Sequence, residues 1–150
     1  MDHLYDNEKE VQSGSTKLPL ITLLLVIINS LIFTLFAVDN GSMWNFSLGN
    51  LLDWGANFSG LTLGKEGWRL FTSLFMHGNM VHLVMNMLAL LLFGIPVERM
   101  VGRIQFSGYY LLFGVGANLC SLLFNTFTVS VGASGVIFGI SGYYFMRVAI

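Results

Sequence analysis

Long runs of apolar residues alternate with polar connections along this chain of 150 residues. The first run, residues 18–38, has 21 positions and no charge. As a helix it is long enough to cross a hydrocarbon core of about 30 Å. Further runs occupy residues 80–97, residues 106–124 and the stretch from Ser134 to the last residue. The pattern predicts an all-α membrane protein, a multi-pass bundle of about four transmembrane helices.

The first apolar run is preceded by a polar, acidic segment. This segment lacks the basic region and the small-residue cleavage site of a secretory signal peptide, so we expect the first run to remain in the mature protein. The chain is therefore divided into a cytoplasmic tail at residues 1–16 and a membrane domain at residues 17–150. Within the first run Ser30 and Thr34 share a helix face, which favours packing of that face against another helix.

The connection at residues 39–69 is rich in glycine and aromatic residues and carries all three tryptophans of the chain, Trp44, Trp54 and Trp68. Tryptophan is typical of the boundary between lipid and water. A soluble loop does not usually display so much aromatic surface. We therefore expect a loop that lies in the membrane interface or is partly embedded in the membrane.

Composition excludes several classes of function. Hydrophobic residues make up 55% of the chain and charged residues 10%, whereas soluble domains carry about 25% charged residues. The net charge of -1 gives no reason to expect a nucleic-acid partner. The single cysteine, Cys120, lies in an apolar run and is interpreted as a packing residue.

Orientation follows from the basic residues near the ends of the apolar runs. A cytoplasmic N-terminus places five of them inside and leaves Lys65 and Arg69 outside. The five are Lys9, Lys17, Arg99, Arg103 and Arg147. We therefore predict a multi-pass protein of the cell membrane with its N-terminus in the cytoplasm.

Three polar side chains lie in or just before the second apolar run: His77, His82 and Asn86. His82 and Asn86 are four residues apart, so they share one face of a helix. Donors on one face at membrane depth could stabilise an oxyanion, or they could hold helices together by hydrogen bonds. A metal site is less favoured, because the two histidines are five residues apart and no carboxylate is near them.

A second polar group opens the last apolar run, where Ser134 lies between Gly132-Ala133 and Gly135. Small neighbours can expose a serine hydroxyl at a helix start, where the first backbone N–H groups have no internal partner and can bind a negative charge. The alternative is structural. Ser134 could cap the helix, and Gly135 with Gly139 could form a packing face.

Taken together, these motifs resemble the rhomboid family of intramembrane serine proteases. The matching features appear in family order and cover about residues 18–150. They are Trp68-Arg69, Phe75-Met76-His77, His82 with Asn86, Glu98-Arg99 with Gly102, and Gly132-Ala133-Ser134-Gly135.

The resemblance implies a fold, an activity and roles for these residues. Ser134 matches the nucleophile that attacks a peptide bond in a transmembrane substrate protein. His82 and Asn86 match oxyanion-stabilising positions, together with the backbone N–H of Ser134. Gly132, Gly135 and His77 support the site. Trp68, Arg69, Glu98 and Gly102 match structural positions, with Arg69 and Glu98 linked by hydrogen bonds. No cofactor or metal is implied.

The match has one departure that concerns the general base. Rhomboids pair the serine with a histidine on a later helix, whereas His3, His77 and His82 all precede Ser134. We expect a chain truncated after its fourth segment and inactive by itself until a C-terminal fragment supplies that histidine. Further helices would then cover a face formed by Gly135, Gly139 and Gly142.

Two functions remain open at this point. One is a rhomboid-type intramembrane serine endopeptidase. The other is a non-catalytic rhomboid-like membrane protein that binds transmembrane helices. A small channel or transporter subunit has only the presence of membrane spans in its favour.

Overall fold

The computed structural model describes residues 18–124 and 127–149. The predicted cytoplasmic tail lies outside these residues. The described helices, in chain order, are α1 (Leu20–Asn40), α2 (Leu48–Asp53), α3 (Ser59–Thr62), α4 (Arg69–Thr72), a 3-10 turn (Ser73–Phe75), α5 (Met80–Ala89), a π-helical turn (Leu90–Gly94), α6 (Ile95–Val101), α7 (Arg103–Phe124) and α8 (Ser134–Val148).

The predicted all-helical membrane architecture is confirmed for the described part of the chain. Three continuous helices are long and apolar enough to cross a membrane: Leu20–Asn40, Met80–Val101 and Arg103–Phe124. The fourth predicted segment forms α8, which has 15 helical residues. Extended backbone pairing among the described residues is limited to one isolated bridge between Asn57 and Ser130.

The second long helix combines α5, the π-helical turn and α6. Pro96 lies in the first turn of α6 and cannot donate a backbone hydrogen bond, and the wider turn directly precedes it. The π-helical turn also brings Gly94 against α1, where a Cβ on Gly94 would lie 3.0 Å from Cγ2 of Thr22. Glycine therefore permits the close approach of these two helices.

Helix α8 packs most extensively on helix α7. This contact corrects the expectation that the glycine face of α8 is bare. A Cβ on Gly135 would collide with Cβ of Ala117, and one on Gly139 would collide with the ring of Phe113. Both glycines are therefore already covered by α7, because they let the two backbones approach closely. Gly142 differs, since a Cβ there would meet no atom within 4 Å.

This packing predicts opposite effects for two matched substitutions. Gly135→Ala should lower the free energy of unfolding by about 1–3 kcal/mol, because the added methyl group overlaps Cβ of Ala117. Gly142→Ala should leave it unchanged or raise it by up to about 1 kcal/mol, because alanine is the better helix former. Thermal unfolding in detergent measures both. Equal stability of the two variants would contradict the proposed contact.

The expectation that Ser30 and Thr34 face another helix is wrong for Thr34, whereas Ser30 is half-buried. Thr34 is exposed, and its hydroxyl donates to the Ser30 carbonyl of the same helix at 2.8 Å. The polar side chains that α1 buries are Thr22 and Asn29, and Asn29 donates to the Leu25 carbonyl at 2.7 Å. Hydroxyl groups can satisfy themselves on their own helix, so they do not require a partner helix.

Glu98 holds the start of α1. Its buried carboxylate accepts hydrogen bonds from the backbone N–H groups of Ile21 and Thr22, at 3.0 and 2.7 Å. The Thr22 hydroxyl donates a third at 2.7 Å. An acidic group is favoured there, since the first N–H groups of a helix lack internal partners.

Arg69 does not contact Glu98 and holds the first loop instead. The expected hydrogen-bond link between Arg69 and Glu98 is therefore absent from the structure. Its guanidinium donates to the carbonyls of Leu52 and Ala56, at 2.6 and 3.1 Å, and pairs with Glu66. The guanidinium carbon also lies 4.6 Å from the ring centre of Trp68. Gly102 instead ends α6 with φ +83, a conformation that favours glycine.

Candidate active site

Ser134 is the first residue of α8, and the residue that caps this helix is Ala133, without a side-chain hydrogen bond. The structural alternative, in which the serine hydroxyl caps the helix, is therefore wrong. The Ser134 side chain is half-buried and makes no hydrogen bond to the described residues. Its hydroxyl remains available at a helix N-terminus.

Gly132 brings the turn before Ser134 against the second long helix. A Cβ on Gly132 would lie 2.9 Å from Nε2 of His82 and 3.3 Å from Nδ2 of Asn86. The residue also has φ +107, which side-chain-bearing residues rarely adopt. Glycine is therefore required at position 132 for two reasons, its backbone conformation and its lack of a side chain. The missing side chain lets His82 and Asn86 contact the turn at residues 130–133, called the serine turn below.

His82 and Asn86 are presented by the first two turns of α5. The helix begins after Asn79, whose side chain accepts a hydrogen bond from the His82 backbone N–H at 2.8 Å. Asn86 is buried, and its side-chain Nδ2 has no hydrogen-bond partner among the described residues. A buried donor without a partner is costly for the fold, which points to a role in binding.

His77 lies beside this pair, before the helix begins. It is fully buried, its ring centre is 5.2 Å from that of His82, and neither ring nitrogen has a hydrogen-bond partner among the described residues. Burial, with a smaller contribution from His82, lowers the pKa of His77 to about 4. Its ring is therefore neutral at physiological pH and a weak base.

The structure brings five of the sequence-predicted residues into one region: His77, His82, Asn86, Gly132 and Ser134. Of the remaining site residues, Gly135 adjoins Ser134, and the others lie apart from this region. Gly135 packs on α7, Trp68 and Arg69 hold the first loop, and Glu98 and Gly102 lie toward the far end of the second long helix.

Sequence reasoning missed a polar network behind the serine turn. Asn118 of α7 donates to the Ser73 hydroxyl at 2.8 Å, and the Ser73 carbonyl accepts from the Gly132 N–H at 2.8 Å. Asn57 of the first loop pairs with Ser130 through two backbone hydrogen bonds. The signal for Asn118 was present in the sequence, because an amide inside an apolar run needs a partner.

This arrangement can support nucleophilic attack and can stabilise an oxyanion. The hydroxyl of Ser134 lies beside the free N–H groups that begin α8, and Asn86 and His82 flank the same turn. Groups of three His, Cys, Asp or Glu side chains that could hold a metal ion are absent from the described part, and the prediction of no cofactor stays a prediction.

Comparisons with known proteins point to one family. The family model for the Rhomboid domain matches residues 64–150, more than half of the chain. Rhomboid protease AarA of Providencia stuartii is 32% identical over 148 residues. Rhomboid protease GluP of Bacillus subtilis is 36% identical over 124 residues, and RHOMBOID-like protein 4 of Arabidopsis thaliana is 49% identical over 79 residues.

The chain spans only part of these relatives. It matches 52% of the length of AarA, 24% of GluP and 20% of RHOMBOID-like protein 4. In turn, these matches include 87%, 83% and 53% of the present chain. The family model, the relatives and the helical membrane fold agree, and the chain belongs to the rhomboid family.

Proposed function

We propose that this chain carries the nucleophile and the oxyanion-binding groups of a rhomboid-type intramembrane serine endopeptidase that cleaves transmembrane substrate proteins. The observation that supports this most directly is the contact of Gly132 with both His82 and Asn86. Both side chains therefore lie against the turn that precedes Ser134. The matches to GluP and AarA, both named rhomboid proteases, support the same reaction.

In this reaction Oγ of Ser134 attacks the scissile carbonyl carbon, and the carbonyl oxygen takes up negative charge. Nδ2 of Asn86, the His82 ring and the Ser134 backbone N–H donate hydrogen bonds to that oxygen. The hydroxyl proton passes to a general base, which returns it to the departing amine. Asn86 suits the role because its donor is buried and has no other partner among the described residues.

We propose that the base is a histidine outside the 150 residues, supplied by a C-terminal fragment. His77 is a weak base because burial lowers its pKa to about 4. His82 would have to serve as oxyanion donor and as base at once, which is unfavourable. The isolated chain should therefore be inactive.

We propose the cell membrane as the location, with the N-terminus in the cytoplasm. The end of the bundle where α1 starts carries Arg99 and Arg103, and Nη2 of Arg103 donates to the Leu18 carbonyl at 3.2 Å. Basic residues concentrate on the cytoplasmic side of membrane proteins. Reporter fusions at each end of the chain test the orientation.

The function is tested by labelling with a serine-directed fluorophosphonate in membranes. Two proteins are compared: the chain as it stands and the chain extended by the part of AarA that follows the matched region. We expect labelling and cleavage of a model transmembrane substrate only for the extended protein. Ser134→Ala should abolish both. Ser141→Ala should retain them, because Ser141 lies two turns further along the same helix and its hydroxyl donates to the Phe138 carbonyl of that helix.

Labelling of the chain as it stands, abolished by Ser134→Ala, would show that no external base is needed. The second candidate function, a non-catalytic protein that binds transmembrane helices, is supported by the lack of any hydrogen bond between the Ser134 side chain and the described residues. It would be favoured if the extended protein folds and co-purifies with a transmembrane substrate but neither reacts nor cleaves.

A further inference from the structure

We propose that Asn118 is a positioning residue that holds the serine turn in register with His82 and Asn86. The proposal rests on the proposed function, since it concerns the same nucleophile. Asn118 lies in the third long helix and has no direct part in the reaction. Its side-chain amide donates to the segment that carries Ser73, and its backbone carbonyl accepts from Asn57 of the first loop. Both segments hold the turn at residues 130–133.

The first connection runs from Asn118 through Ser73. Nδ2 of Asn118 donates to the Leu70 carbonyl and to the Ser73 hydroxyl, both at 2.8 Å. The Ser73 hydroxyl in turn donates to the Arg69 carbonyl at 2.6 Å. These bonds fix the backbone of Ser73, whose carbonyl accepts the Gly132 N–H at 2.8 Å.

The second connection runs from Asn118 through the first loop. The backbone carbonyl of Asn118 accepts a hydrogen bond from Nδ2 of Asn57 at 3.2 Å, and Asn118→Leu keeps this acceptor. The backbone of Asn57 pairs with that of Ser130 in both directions, at 3.0 and 2.8 Å. The side chain of Ser130 also meets the Ser121 hydroxyl, one turn further along α7 than Asn118, at 2.5 Å.

Both connections end within four residues of Ser134. The turn is thus held at Ser130 and at Gly132, and Gly132 is the residue that contacts His82 and Asn86. The network is buried: Asn57 is 1% exposed, Ser73 1% and Asn118 7%. Loss of the side-chain amide breaks the connection through Ser73 and keeps the one through Asn57, so the turn should shift at Gly132 while it stays held at Ser130.

The position of the serine turn affects how well the site can bind a negative charge. The donors that begin α8 and the donors on α5 must point at one common position to stabilise a negative charge. A displacement of about 1 Å in such a site can cost about 100-fold in rate. Asn118 therefore acts through the turn, and its effect should appear in the reactivity of residue 134.

The experiment uses the full chain with Cys120→Ala and Ser134→Cys, so that the thiol at position 134 is the only one. Its rate of alkylation by iodoacetamide reports how well the surrounding donors stabilise a thiolate. Rates are measured above about pH 7.5, where histidine side chains are largely neutral. The histidines beside the turn are His77 and His82.

We expect Asn118→Leu to slow alkylation by about three- to tenfold and to move the rate–pH profile to higher pH. Ser73→Ala, which removes only a hydroxyl group, should act in the same direction with a smaller effect. It keeps the proposal testable if Asn118→Leu does not fold. Asn29→Leu is the matched control, because Asn29 is also buried but its amide donates to the Leu25 carbonyl of α1 and not to the segments that hold the turn. It should leave the rate unchanged.

Failure of the proposed function and failure of the role proposed for Asn118 give different results. If Asn86→Leu does not slow alkylation in the starting protein, the oxyanion site and thus the proposed function are wrong. If Asn86→Leu does slow it, but folded Asn118→Leu and Ser73→Ala proteins react at the starting rate with the same pH profile, the network is structural only and the proposal is overturned.

Discussion

Replacing Asn86 with leucine should slow substrate cleavage by the extended protein on the order of 10²–10³-fold, while substrate binding changes little. Nδ2 of Asn86 is buried beside Gly132 and has no partner among the described residues. Its hydrogen bond would form only when the substrate carbonyl becomes an oxyanion. An interaction made only in the transition state affects kcat rather than KM.

The same substitution should not destabilise the protein. A buried donor without a partner costs free energy in the folded state, and leucine of similar size removes that cost. Cleavage of a model transmembrane substrate and thermal unfolding are therefore measured together. Asn29→Leu controls for the loss of a buried amide and should cleave at the original rate. An Asn86→Leu protein that cleaves normally would exclude the proposed oxyanion role.

Replacing Glu98 with leucine should lower the free energy of unfolding by about 3–5 kcal/mol, the largest stability effect expected for one residue here. The carboxylate accepts three hydrogen bonds from Ile21 and Thr22 and is 3% exposed. Without it the first N–H groups of α1 lose their partner at the contact with α6. Water cannot readily replace a group so deeply buried.

Glu98→Gln should have an intermediate effect, because the amide keeps one acceptor oxygen but loses the charge. Arg99→Gln is the matched control on the same helix, since Arg99 is exposed. It should change stability by less than about 0.5 kcal/mol. Unfolding in detergent, followed by circular dichroism, measures all three variants. Equal melting temperatures of the wild type and Glu98→Leu would contradict the anchoring role.

The positions of the membrane helices could be predicted closely from the sequence. The apolar run at residues 18–38 corresponds to α1, Leu20–Asn40, and the run at residues 106–124 lies within α7, Arg103–Phe124. Length and charge are strong signals because every backbone polar group in lipid must be satisfied within the helix. The predicted partners of these helices were less accurate, as Thr34 and Gly135 show.

The pairing of His82 with Asn86 was also readable, since helix periodicity alone places residues four apart on one face. The network around Asn118 was not, although the residue itself was conspicuous in an apolar run. Asn57, Ser73 and Ser130 are common residue types in loops and turns. Their hydrogen bonds depend on how three separate segments meet, which no local pattern encodes.

By itself, the sequence determined the class of this protein and the small set of residues that could carry chemistry. Hydrophobic length and helix periodicity act over a few turns of chain, so they can be read locally. The tertiary structure decided which of those residues share a site. Contact between Gly132, His82 and Asn86 joins positions about 50 residues apart, and it arises only from the packing of α5, α7 and α8 together.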